Sequence, residues 1–275
     1  MRRVAHVFWR FGIFLKWNFF DKEFNKLIDN IQEDDEIIFY PFFPEPILNI
    51  YARIHKKVKI RIWLWDSFSK ITEIHNKLNL LKKTHIPIAT FDPVDAAAGN
   101  IAFIPQLYSF NTPFEPEPTK AVINPCDCYF LGNFKDEHRK TYLDALQTTL
   151  NHYHIRAEIY LVGETGRPYL SYTQNLHNLS QCKCLLELMV QGQTGLTLRT
   201  MEALAFRKKL ITNNQDIKRY SFYRKNNIYI IGEDREETLP AFIESNYEEI
   251  PEEILMQYDV NSWYKKIMAV EATPI

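Results

Sequence analysis

Residues 185–214 read LLELMVQGQTGLTLRTMEALAFRKKLITNN. An apolar run ends near Leu188, a polar loop follows from Gln191 to Thr194, and Gly195 opens a helix expected over Leu196–Phe206. Thr197 and Arg199 fall in its first turn, and Glu202 lies three residues after Arg199 on the same side. The first turn of a helix carries amides without intrahelical acceptors and a partial positive charge. Hydroxyl and guanidinium groups beside it strengthen such a place for a diphosphate. A carboxylate one turn deeper can accept both hydroxyls of a ribose. The plainer reading is a capped amphipathic helix with an Arg–Glu surface pair, which is common. Lys209–Thr212 then reads as another strand, so this stretch alone gives strand, helix, strand.

Outward from it, the rhythm continues. Cys128–Leu131, Glu158–Val162, Lys183–Leu188 and Ile228–Ile231 read as strands, and Asp136–His152 and Ser171–Ser180 as helices. Toward the N-terminus, Ile37–Tyr40, Lys59–Leu64 and Ile86–Phe91 read as strands, and Glu45–His55 and Ser67–Lys83 as helices. Such alternation predicts α/β architecture with parallel sheets. Asn111–Pro125 holds four prolines and reads as an extended linker. The expected organisation is a first domain over 1–115, a second over 126–258, and a C-terminal helix in 259–275 with Trp263, Ile267 and Met268 on one side. Glycines end three strands of the second half, among them Gly163. In open α/β sheets ligands sit at that carboxyl edge, although turn glycines account for the same pattern.

Composition excludes more than it identifies. Of 275 residues, 24% are charged and 46% apolar, with 33 basic against 34 acidic side chains, so nothing points to nucleic acid. The four cysteines form two C-x-C pairs, Cys126/Cys128 and Cys182/Cys184, expected as buried thiols with each pair on one face of a strand. The spacing is not that of a zinc site. No G-x-G-x-x-G follows a first strand, which disfavours a dehydrogenase. The basic, apolar N-terminus is interrupted by His6 and Arg10 and lacks a small-residue cleavage site, so a secretory signal is not expected. It reads as a buried first strand; alternatively Phe8, Trp9, Phe11, Phe14, Trp17 and Phe19 form an apolar rim that meets a membrane or lipid-linked molecule.

The central stretch resembles the donor-binding segment of bacterial GT-B glycosyltransferases of lipopolysaccharide, lipooligosaccharide and capsule synthesis. The resemblance is carried by Gln193, Thr194, Gly195, Leu196, Thr197, Arg199, Glu202, Ala203 and Leu204. It continues through Lys209–Asn213, Ile217, Tyr220, Phe222, Tyr223, Asn227 and Ile228. Looser matches are Trp63–Asp66, Thr90–Ala96, Gln106 and Tyr108. The resemblance implies two Rossmann-like domains facing a cleft and a cytoplasmic enzyme, peripheral to the membrane if the aromatic rim engages it. Such an enzyme moves a sugar from a nucleotide-sugar to a glycan or lipid-linked acceptor without a metal or other cofactor. Glu202 would hold the ribose, residues 193–199 the diphosphate, and Lys135 and Arg139 would be the basic pair after the first strand of the second domain. A C-terminal helix crossing back to the first domain would help close the cleft and exclude water.

The acceptor's proton requires a base. Asp66 and Asp92 each follow a strand of the first half, and Asp95 is close by; a helix cap and a turn residue are the plainer readings of Asp66 and Asp92. The family carries Asn where Asp66 stands. His6 is a further candidate. Two other functions remain open: a GT-B epimerase acting on the nucleotide-sugar itself, and a non-catalytic binding or scaffold subunit.

Overall fold

The computed structural model describes residues 29–33, 35–40, 58–67, 78–79, 81–110, 126–133, 137–163, 167–189 and 192–272. The aromatic N-terminus with His6, the helix expected at Glu45–His55, most of that expected at Ser67–Lys83, the proline-rich linker and Lys135 lie outside these residues.

Two wholly parallel sheets account for the mixed α/β fold, consistent with Rossmann-like units. The first contains β1 (Glu36–Phe39), β2 (Lys59–Leu64), β3 (Ile88–Thr90) and β4 (Ala102–Phe103), side by side in chain order. The second contains β5 (Cys126–Asn133), β6 (Ala157–Val162), β7 (Cys182–Glu187), β8 (Lys209–Thr212) and β9 (Ile228–Ile230), in the order β6-β5-β7-β8-β9. Strand order reverses between β5 and β7. In open α/β sheets such a reversal is where connections leave toward opposite faces and ligands sit at the strands' carboxyl ends.

The helices are α1 (Pro93–Gly99), α2 (Glu137–His152), α3 (Tyr172–Ser180), α4 (Leu198–Ala205), α5 (Leu239–Glu244), α6 (Glu252–Leu255) and α7 (Val260–Met268). Sequence reading missed α1. Asp92, a candidate base or turn residue from sequence, caps α1 by accepting from the amides of Val94 and Asp95, with Pro93 in the first turn, where its missing amide costs nothing. The central helix also starts later than expected. Thr197 is its N-cap, so Gly195 and Leu196 join Thr194 in the preceding loop.

The second sheet buries both faces. Tyr129, Leu185, Met201, Leu210 and Ile230 fill one core, and Phe130, Leu143, Leu161, Leu186 and Ile211 the other. The thiols depart from expectation. Cys126 and Cys182 join the first core, whereas Cys128 and Cys184 join the second. The amides of Asp127 and Cys128 both donate to the carbonyl of Arg156, a bulge that breaks the two-residue alternation in β5. All four cysteines are buried and free, and burial raises the Cys126 thiol to about 11.

α7 packs on the first sheet. Trp263 and Ile267 share a core with Trp63, Ala89, Phe91 and Ile104. Arg61 donates to the carbonyl of Met268 at the helix's C-terminal end (3.2 Å), where positive charge is favoured. Just before α7, the amide of Tyr108 donates to Tyr258 O and the amide of Val260 to Tyr108 O, so two chain segments run as a short parallel ribbon.

Candidate functional site

The start of α4 straddles the β5/β7 reversal. Arg199 Nη2 donates to the carbonyl of Leu131 in β5 (3.1 Å), while the Thr197 hydroxyl donates to Glu187 at the end of β7. Three clusters surround this point.

Arg199 and Glu202 form an ion pair (2.8 Å), with Glu202 only 2% exposed. Asn175 of α3 donates to the same carboxylate (3.2 Å), and the neighbouring Tyr172 hydroxyl donates to that of Tyr108 (3.2 Å). Burial raises the Glu202 pKa, against the lowering effects of Arg199, Tyr172 and Asn175. Asn175 is itself buried, and its side-chain oxygen accepts no hydrogen bond among the described residues. A buried polar group left so costs about 1–3 kcal/mol.

Glu187 anchors the second cluster. It is 2% exposed and accepts the hydroxyls of Thr197, Thr200 (2.6 Å) and Thr212 (2.6 Å), tying the start of α4 to β7 and β8. Sequence reading passed over Glu187, although a lone carboxylate at the end of the apolar strand CKCLLE was a signal. Asn175 and Tyr172 were also missed. Asn175 and Asn178 stand three apart on α3 and are both buried, a polar pair on an inward face.

The third cluster joins the two halves. Asp92, fully buried, receives the amide of Thr194 (2.7 Å), the hydroxyl of Thr194 (2.5 Å) and the amide of Gly195 (2.8 Å), besides its two capping bonds in α1. Burial alone would raise its pKa. The Thr194 hydroxyl and the amides of Thr194, Gly195 and Asp95 outweigh that, and the pKa is lowered. Gly195 is required by this approach. A Cβ there would stand 2.6 Å from the backbone oxygen of Phe91.

The expected site residues therefore separate. Thr197, Arg199 and Glu202 gather at the strand reversal, whereas Thr194 and Gly195 face Asp92. Leu196 is 0% exposed in the core, so its side chain does not line the crevice. Gln193 is half-buried in the loop. Arg139 lies over the Phe130 ring (5.4 Å), beside Gly132 at the end of β5. Gly163 occupies a left-handed turn (φ +88°), which accounts for glycine there without a ligand. In the first half, Asp66 is half-buried after β2, and Asp95 is buried in α1. A base needs a lone pair directed at the acceptor; five donors already engage Asp92, so its geometry is that of a clamp.

Among the described residues no helix is long and apolar enough to cross a membrane, and no three His, Cys, Asp or Glu side chains group as a metal site. No protein-family model and no curated relative matches the sequence. Among solved structures, the chain is similar to one in the glycosylation-associated protein (Gap123) complex from Streptococcus agalactiae. The TM-score is 0.47 and the identity 14%, over 90% of this chain and 57% of that one. The chain thus spans little more than half the length of that neighbour, and at such distance the likeness transfers no activity.

Proposed function

We propose that the chain binds a nucleotide-sugar at the β5/β7 reversal and transfers the sugar to a glycan acceptor as a metal-independent glycosyltransferase of the GT-B kind. The observation carrying this reading is the buried Arg199–Glu202 pair, held by Asn175 at the carboxyl edge of a parallel sheet where strand order reverses. A carboxylate fixed there is matched to vicinal ribose hydroxyls, and Arg199 to a neighbouring phosphate. Asp66 is the carboxylate we assign as base: it takes the proton of the acceptor hydroxyl as that oxygen bonds to the sugar's anomeric carbon and the nucleoside diphosphate leaves. Acceptors of lipopolysaccharide or capsule type, and contact with the membrane through the aromatic N-terminus, belong to this reading.

The test is thermal shift against UDP, GDP, CMP and ADP and their sugar conjugates without added metal. One nucleotide should raise the melting temperature of the wild type and not of Glu202→Ala. If none does, the donor site is withdrawn. A second reading, a non-catalytic binding subunit, is favoured by one observation: the hydrogen bonds of Asp92 are consumed in a clamp. Nucleotide-sugar that binds yet is never consumed, with any acceptor extract, would select it.

A further inference from the structure

The place that a diphosphate would take along the 193–199 segment is partly filled by the protein itself. Two consecutive loop amides and a hydroxyl converge on one carboxylate, at 2.5–2.8 Å. These are the donors that cradle a phosphate oxygen, and they come from the loop rather than from α4. No Lys or Arg among the described residues pairs with Asp92. We propose that Asp92 is an internal anion latching the cleft shut, and that a ligand's diphosphate must displace it to use the Thr194 and Gly195 donors. This rests on the donor-site reading above.

Three features make exchange, rather than a permanent joint, the consequence. The bonds of the latch are all polar, so breaking them returns donors and acceptor to other partners, although the Phe91 ring lies against Gly195 beside them. A phosphate group can make the same three bonds through two of its oxygens, as the carboxylate does, and Arg199, 12% exposed one turn away, adds a charge that Asp92 does not use. The side-chain oxygen of Asn175, which holds Glu202, accepts nothing among the described residues, so the polar wall of the donor site is not yet satisfied. A latched majority lowers apparent affinity by the fraction of molecules that are open.

The experiment is calorimetric titration of the full chain with inorganic pyrophosphate and, separately, with the nucleotide selected by thermal shift. Asp92→Ser keeps a residue suited to capping α1 while withdrawing the carboxylate. It should bind pyrophosphate at least about tenfold more tightly than wild type. Adding Thr194→Val should remove much of that gain, locating it at these donors. Should Asp92→Ser fold poorly, Gly195→Ala pushes Phe91 away with Asp92 intact and should also tighten binding. Equal affinity of wild type and both single variants overturns the latch while leaving the donor site standing. If pyrophosphate and every nucleotide fail to bind any variant, the donor-site reading falls and the latch with it.

Discussion

The two halves of this protein are joined by contacts of opposite character. Where α7 packs on the first sheet, Trp263 and Ile267 enter a core with Trp63, Ala89, Phe91 and Ile104. Where Asp92 meets the 194–195 loop, the carboxylate is held by hydrogen bonds, with one glycine permitting the approach against Phe91. The difference is one of exchangeability. Apolar burial has no alternative partner except water, which is worse, so the first contact persists in every folded state. A carboxylate and three donors can trade partners with a ligand or with water at small net cost. Phe91 and Asp92 are adjacent, so one turn of chain feeds both joints.

Trp263→Ala is expected to have the largest effect, about 3–5 kcal/mol of lost stability in denaturant unfolding, because it empties the apolar joint. Asp92→Ala follows at about 2–3 kcal/mol, the sum of a lost cap and of buried donors left without an acceptor. Saturating nucleotide should stabilise Asp92→Ala more than it stabilises wild type, and Trp263→Ala only as much as wild type. An equal gain in both variants would erase the distinction between the joints.

The pH dependence sharpens the contrast further, through two carboxylates. The Asp92 pKa is lowered on folding, so its stabilising contribution is complete above the ordinary aspartate range and disappears as pH falls through the lowered value. The Glu202 pKa is raised, so the ionised group weighs on stability. The protein gains as pH falls through the raised value and loses as pH rises through it. Unfolding followed between acid and neutral pH should therefore lose its acid-side slope in Asp92→Ser and its slope above the ordinary glutamate range in Glu202→Gln. A profile unchanged by either substitution would mean that neither environment is as the structure has it.

How much of this could be read from sequence depends on the range of the interaction. Strand and helix periodicity is local, and both parallel sheets were legible from runs such as KIRIWL and KLIT. Arg199 and Glu202 were legible too, since a spacing of three places them together whatever the tertiary fold. The task of Asp92 was not, because its partners lie 102 and 103 residues away, and local reading offered a turn residue or a base. The start of the helix was misplaced for a related reason. The helix begins at its Thr197 cap, two residues later than the glycine suggests, and that shift turns Leu196 into the core and Gly195 toward Phe91. The bulge at Asp127–Cys128 likewise leaves no mark in composition, yet it separates the faces taken by Cys126 and Cys128.

The smallest expected effect tests the apolar joint from the opposite direction. Trp263 packs against Tyr40 and Trp63 with ring centroids 5.8 and 5.2 Å away, while its indole N–H is buried without a hydrogen-bond acceptor among the described residues. Replacing it by Phe keeps an aromatic ring at the joint but removes the unpaired donor, a relief of about 1–3 kcal/mol. Against that stands the lost burial of the larger ring, of similar size at about 25 cal/mol per Å². The two should leave Trp263→Phe within about 1 kcal/mol of wild type in denaturant unfolding, beside the severe Trp263→Ala. A loss as large as that of the alanine variant would mean that the indole donor has a partner, and that the joint is not held by apolar packing alone.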